Sequence, residues 1–275
     1  MLICLSILGG GRGNDLFQFM HADAFCRRNG VRYYSPTFTE KYTKDFPNLP
    51  ESPKTPYLAK KFLYNRYYKK LNPNCIIGFT DENEIPKYRA QIKKDYLVNF
   101  CYGWFFNNDL YREEDIRHYQ KLFEPKVDKE ALKNKYLQHN ADEKIISVHI
   151  RRGDYREFMN GKYFFDDDLY IKKIKEFLKS IPKGNYKFLI CTNDENLDLE
   201  RYKKEFGNVI QSEEGPLEDQ YLISQTNYLL GAPSTFSQWA SVMGEVPYYH
   251  IYEPEETITE DKIIKELRGY KYKQK

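Results

Sequence analysis

The stretch VHIRRGDY sets Arg151 and Arg152 side by side where an apolar run ends. Two adjacent arginines there cannot both be core residues, because arginine is almost never buried unpaired. At least one must meet an anion, and a planar guanidinium forks well onto phosphate oxygens. Side chains alternate along a strand, so Arg151 is expected on the side of His149. Arg152 then reaches an anion less directly, or braces the loop through Asp154. Asp154 itself either orients an arginine or accepts a proton; a purely structural Arg–Asp bridge is the competing reading. His149 reads as a satisfied core histidine rather than a base.

A second stretch, GAPSTFSQWASVMG, opens a helix with Ser234, Thr235 and Ser237. A helix N-terminus presents free N–H groups and a positive dipole end, which suits an anion. An ordinary Ser/Thr cap explains the same residues. Trp239 and Val242 are expected to face inward, and Trp239 and Met243 read as core. The third stretch, GGGRGNDLFQF, resembles a phosphate loop but satisfies no nucleotide formula: Asn14 stands where a dinucleotide fingerprint needs glycine, and no GK[ST] follows. Asp166, Asp167 and Asp168 precede an amphipathic helix and read as a cap with a favourable dipole contact rather than a metal site. His21, His118, His139 and His250 show no ligand spacing.

The elements that must carry these residues alternate. Residues 2–8 form an apolar run bounded by glycine, as in a strand buried on both faces. From Asn14, the residues Leu16, Phe17, Met20 and Ala24 share a helical face, which Asn29-Gly30 closes. VRYYS is a second strand, so the glycine loop lies at the carboxyl end of a parallel strand, where open α/β sheets bind ligands. The proline-rich residues 36–75 read as an irregular excursion with short helices. A strand at 96–104, a helix at 111–123 and a charged helical stretch at 125–144 follow. The second half restarts the pattern, with strands at KIISVHI, YKFLICTN, VIQS, NYLLGA and PYYHIYE. Helices separate these strands, and an amphipathic helix is expected at 258–268. The order predicts two Rossmann-like α/β halves facing across a cleft. Their expected bounds are 1–140 and 141–257, followed by a helix and basic tail at 258–275.

Bulk composition narrows the function classes. The 43 Lys and Arg against 40 Asp and Glu leave a net charge of +3, unlike a dedicated nucleic-acid binder. A hydrophobic fraction of 41% with 30% charged residues reads as globular. No apolar run approaches the roughly 18 residues of a membrane span. Five cysteines without paired spacing suggest a reducing compartment, hence a cytoplasmic address, with peripheral membrane contact left open.

Taken together and in order, these motifs resemble the GDP-fucose-dependent fucosyltransferases, most closely the α-1,2-fucosyltransferase group of glycosyltransferase family 11. GGGRGNDLFQF is similar to that group's GGLGNQMFQ, HIRRGDY to HxRRGDY, and PSTFSQWASVMG to NSTFSWWAAWL. YGWFFNNDLYREEDIRHYQKLF resembles the GYWQSEKYF…IR stretch, and LICTNDENL the FSDD segment. The likeness runs from residue 9 to about residue 244.

The resemblance implies a GT-B fold, an inverting mechanism and no metal or other cofactor. By position, Arg151 contacts the donor pyrophosphate and Arg152 supports the site. Asp219 accepts from guanine, and Ser234, Thr235 and Phe236 line the nucleotide and phosphates. His149 and Asp194 join the donor set. Asn14 lies near the phosphates, and glycines of the first loop, Gly11 and Gly13 among them, let backbone approach the ligand. For the base, Asp15, Asp154 and Glu157 stay open. The sequence departs from the group at Asp15, where glutamine is usual, and at Arg12, Gln238 and the pair Asn193-Asp194. The expected reaction moves L-fucose from GDP-fucose to a hydroxyl of a glycan, O2 of a galactoside. A protein O-fucosyltransferase, another GDP-sugar transferase and a catalytically silent sugar-nucleotide binder are the alternatives. The expected partners are therefore GDP-fucose and a glycan, with no nucleic acid.

Overall fold

The computed structural model describes residues 2–4, 11–28, 30, 32–50, 76–78, 99–102 and 113–265. The chain divides into two compact units, Met1–Lys126 with Arg268–Lys275, and Val127–Leu267.

The first unit holds a parallel sheet of four strands in the order β2-β1-β4-β3. Its strands are β1 (Leu2–Cys4), β2 (Tyr33–Tyr34), β3 (Ile76–Gly78) and β4 (Asn99–Tyr102). Between β1 and β2 runs α1 (Arg12–Arg28), which starts two residues before the expected Asn14. Leu16, Phe17, Met20 and Ala24 are all buried, as their spacing requires, and so are Phe19, Ala22 and Cys26. Phe19 stacks on Phe38 of α2 (Pro36–Tyr42) at 4.3 Å, and Phe123 meets both rings edge-on. Phe123 directly follows α3 (Glu113–Leu122). Aromatic pairs of this geometry add to the area they bury. Residues 5–10, with Gly9 and Gly10 of the glycine loop, lie outside the described residues, as does most of the excursion beyond residue 50.

The second unit opens with α4 (Lys129–Leu132), capped by Asp128 and continued by a π turn, Lys133–Leu137. Its sheet is fully parallel, in the order β7-β6-β5-β8-β9. The strands are β5 (Glu143–Ile150), β6 (Asn185–Thr192), β7 (Val209–Gln211), β8 (Tyr228–Gly231) and β9 (Tyr248–His250). Strand order runs outward from β5 in both directions, so a topological switch point falls between β5 and β8.

Helices cover both faces, which is why β5 is buried continuously from Ile145 to Ile150. Ile146, Val148 and Ile150 pack with Tyr170, Ile174 and Phe177 of α5 (Asp167–Ser180). Ile145, on the other face, packs with Leu222 and Ile223 of α7 (Pro216–Ser224) and Ala240 of α8 (Thr235–Gly244). Asp166 caps α5 by accepting from the Leu169 N–H at 2.9 Å, so the aspartate run acts as a cap, as its position implied. The charged helix α6 (Leu199–Phe206) ends at Gly207, whose φ of +74° favours glycine.

One expectation is overturned. The amphipathic helix expected at 258–268 is, over the described residues, a short 3-10 turn at Glu260–Lys262. Ile264 then exchanges two backbone hydrogen bonds with Tyr248. Strand β9 is a sheet edge with unpaired backbone groups, and satisfying them outweighs helical periodicity.

The two helices α7 and α8 meet closely at Gly244, where a Cβ would land on the Ser224 carbonyl oxygen. Helix propensity alone favours alanine there by up to ~1 kcal/mol. Backbone collision reverses the sign: Gly244→Ala should destabilise the unit by about 1–3 kcal/mol. Urea unfolding followed by fluorescence of the buried Trp239 checks this, and unchanged or raised stability would contradict the close packing.

Candidate functional site

The carboxyl ends of β5 and β8 flank the switch point, and the two arginines leave β5 there. Arg151 turns toward the start of α8, on the face of the sheet that carries His149. Its Nη1 donates to Ser234 Oγ at 2.9 Å. Its Nε and Nη2 donate to the two carboxylate oxygens of Asp154 at 2.9 and 2.6 Å. The guanidinium lies over the Tyr155 ring, 4.5 Å from its centroid. Tyr155 in turn donates its hydroxyl to the Pro233 carbonyl, tying the β5 loop to the loop before α8. A guanidinium has five N–H donors, so these three bonds leave Arg151 with capacity for a further acceptor. Its side chain is 25% exposed.

Arg152 has the opposite character, with a side chain only 9% exposed. It donates to Asp167, to Asp194 at 2.9 Å and to the Phe165 carbonyl at 2.8 Å. It therefore joins three loops from below and is consumed by internal partners. The expected bracing contact is thus corrected: Arg151, not Arg152, takes Asp154. Arg152 points into the α5 side of the sheet, where Asp167 and Asp194 wait, because consecutive residues turn to opposite faces.

The carboxylates respond to these partners. Arg151 holds Asp154 below the ordinary carboxylate range. Burial opposes ionisation of Asp194, but the Asn196 N–H and Arg152 outweigh it and its pKa also falls. Asn193, beside it, accepts from the backbone N–H groups of Arg152 and Gly153 at 2.9 and 3.2 Å. The Asn193-Asp194 pair is therefore the support on which the arginine turn rests.

Ser234 caps α8, accepting from the Phe236 N–H at 3.2 Å while it accepts from Arg151. Thr235 follows at the first helical position. Phe236 stacks on His149, with ring centroids 5.2 Å apart. His149 is buried and its pKa is pushed down to about 3, by burial first and then by the charge of Arg151. It is neutral at physiological pH, and its Nδ1 has no hydrogen-bond partner. The satisfied core histidine expected from the sequence is therefore corrected to a buried one with an open ring nitrogen. Gly231 lies between His149 and His250 across the sheet, where a Cβ would stand 2.5 Å from the His149 carbonyl oxygen.

Asp219 sits in the first turn of α7, buried, with Oδ1 accepting from Ser212 Oγ. Burial raises its pKa to about 6, against the opposing pull of Ser212 and Cys191.

Gly11, Gly13, Asn14 and Asp15 belong to the other unit, at the start of α1. Gly11 is exposed and Gly13 buried. Asp15 is 2% exposed. Its Oδ2 accepts from Lys41 Nζ at 2.6 Å and the Tyr42 hydroxyl at 2.8 Å, while its Oδ1 has no partner. Glu157 is exposed.

The structure thus gathers His149, Arg151, Asp154, Ser234 and Phe236 around the switch point, with Arg152 and Asp194 supporting the turn. The sequence reading missed Tyr155, whose signal was only its place in RRGDY, and Ser212, visible as the polar end of VIQS. Among the described residues no group of His, Cys, Asp and Glu is arranged to hold a metal, and no helix is long and apolar enough to cross a membrane.

Residues 79–255 match the family described as Glycosyl transferase family 11. Over 104 residues the chain is 29% identical to galactoside alpha-(1,2)-fucosyltransferase 1 of Rattus norvegicus. That match takes in 36% of this chain and only 27% of the rat enzyme. Among solved structures, it is similar to a substituted form of Arabidopsis thaliana FUT1 in complex with GDP. There the TM-score is 0.61 and the identity 16%, over 95% of this chain and 73% of that one. Fucosyltransferase NodZ from Bradyrhizobium gives a TM-score of 0.58 at 14% identity, over 94% and 97% of the two chains. POFUT1 in complex with GDP-fucose gives 0.51 at 11% identity, over 89% and 94%. At these identities the likeness is one of fold.

The two arginines should separate in a stability measurement. Arg152→Ala strands two carboxylates in a shielded position and should cost about 3 kcal/mol. Arg151→Ala removes a half-exposed pair and should cost no more than about 1 kcal/mol. Chemical denaturation of both variants tests this, and equal losses would refute the division of roles.

Proposed function

Because the chain belongs to glycosyl transferase family 11, we propose that it transfers L-fucose from GDP-fucose to a glycan hydroxyl, O2 of a galactoside. We read the transfer as inverting and metal-independent. The observation that carries this reading is the Arg151–Ser234 contact at the switch point. Leaving GDP builds negative charge on its β-phosphate, and donors placed in advance stabilise that charge. Arg151 and the N-terminus of α8 supply such donors, and the Asp154 carboxylate on the guanidinium fork stands where phosphate oxygens would go.

The two parallel-sheet units support a GT-B reading, with Val127–Leu267 as the donor half and Met1–Lys126 as the acceptor half. In the donor half Asp219 accepts from the guanine N1–H and 2-amino group, and His149, Thr235 and Phe236 line the nucleotide. Arg152 and Asp194 support the turn from beneath. The family likeness assigns Gly11, Gly13 and Asn14, at the start of α1, to the donor set as well. Inversion requires removal of a proton from the attacking hydroxyl. Asp154 must first leave Arg151 to do this, whereas Asp15 already has one oxygen without a partner. That contrast favours Asp15. The buried thiol of Cys191, which forms no disulfide, supports a cytoplasmic address.

Donor choice tests the reading first. Calorimetry should show GDP binding well above ADP and UDP, and Asp219→Asn should cost about 1–3 kcal/mol of GDP affinity. The ionised carboxylate is the better acceptor, so affinity should fall as pH drops through about 6 and level off above it. Equal affinity for the three nucleotides would remove guanine recognition.

Catalysis tests it second. Arg151→Lys keeps the charge but loses the fork, so turnover of GDP-fucose with a galactoside should fall by roughly one to two decades. The loss should lie in kcat more than in donor affinity. EDTA should leave turnover nearly intact; abolition with rescue by magnesium or manganese would overturn metal independence.

A further inference from the structure

Asp219 does not stand alone. Ser212, at the end of β7, donates from Oγ to Asp219 Oδ1. A serine hydroxyl has one proton to give. The Glu214 N–H donates to the same Oγ at 3.3 Å, so the hydroxyl proton is turned onto the carboxylate. The loop carrying Glu213 and Glu214 is clamped in turn. Tyr136, fully buried in the π turn before β5, accepts from the Glu213 N–H at 3.1 Å. It donates its hydroxyl to Glu214 Oε1 at 2.9 Å. Lys135 pairs with the carboxylates of both glutamates, at 3.2 and 3.0 Å.

We propose that Ser212 is a positioning residue for Asp219, held in place through the Glu213-Glu214 loop by Tyr136, and that this relay sets how strongly a guanine base is bound. The inference rests on the reading of Asp219 as the guanine acceptor. An aspartate in a shielded pocket tends to keep its proton, which would blunt it as an acceptor for the two N–H groups of guanine. A directed hydroxyl favours the ionised form and fixes the plane of the carboxylate. The other groups facing Asp219 are Cys191 from β6, whose thiol burial holds protonated, Glu218 on its own helix and Glu214 in the loop. Both glutamates oppose ionisation, and Lys135 screens Glu214 from outside. Ser212 and Cys191 are thus the two side chains that favour the charged carboxylate.

The test is calorimetry with GDP and ADP as probes across the pH range around 6, on wild type, Ser212→Ala, Ser212→Thr, Tyr136→Phe and Asp219→Asn. Ser212→Ala should weaken GDP roughly tenfold at neutral pH and move the midpoint of its pH dependence upward, because the ionised carboxylate loses a donor. ADP binding should not change. Ser212→Thr keeps the hydroxyl and should restore both affinity and midpoint. Tyr136→Phe should shift both in the direction of Ser212→Ala, by less. If Ser212→Ala retains the wild-type midpoint while Asp219→Asn loses GDP, the relay is overturned and guanine recognition stands. Equal losses in Ser212→Ala and Ser212→Thr would also overturn it, since the hydroxyl would then not be what matters. Should Asp219→Asn bind GDP like wild type, the guanine reading falls, and the relay with it.

Discussion

A guanidinium cannot be left buried without partners, and at residues 151 and 152 that constraint applies twice in succession. The chain meets it with two separate sets of acceptors on opposite faces of one strand. Arg152 takes the inner set, Asp167, Asp194 and the Phe165 carbonyl, and through them joins the end of β5 to the start of α5 and the loop after β6. With that anchor in place, Arg151 is held at the sheet edge with donors to spare. Breaking the inner set would leave charges without water or partners, which costs more than losing the bonds themselves.

The switch point explains why the remaining groups collect where they do. Strands β5 and β8 are neighbours, but their following chains depart to opposite faces, so a crevice opens at their carboxyl ends. Arg151 enters it from β5 and the capped start of α8 from β8. Tyr155 bridges the two loops with its ring under Arg151 and its hydroxyl on Pro233. Gly231 lets the sheet close tightly between His149 and His250. Both histidines are kept neutral by burial, so fixed positive charge at this edge comes from arginine side chains and the helix end rather than from imidazoles.

Much of this was legible in the sequence because it follows from local rules. The buried run of β5 predicts a central parallel strand, Asp166 and Ser234 announce helix starts, and the paired arginines demand anions. The family likeness rests on the same stretches, which explains why residues 79–255 match glycosyl transferase family 11. Inward placement of Trp239 and Val242 also follows from helical spacing, and both are buried.

What the sequence could not decide are the pairings between residues far apart in the chain. Asp154 lies within three positions of both arginines in sequence, and only the direction in which β5 ends assigns it to Arg151. Arg152 meets Asp194 across 42 positions, and Ser234 meets Arg151 across 83. Asp219 is a plain helix-start aspartate until β7 brings Ser212 against it and burial lifts its pKa. Residues 258–265 carry a helical pattern, yet the open edge of β9 takes their backbone hydrogen bonds. Local periodicity determines which segments become strands and helices, since it depends only on nearby side chains and backbone dihedrals. Partner choice, protonation and edge pairing depend on which surfaces the folded sheet brings together, and those were decided only by tertiary structure.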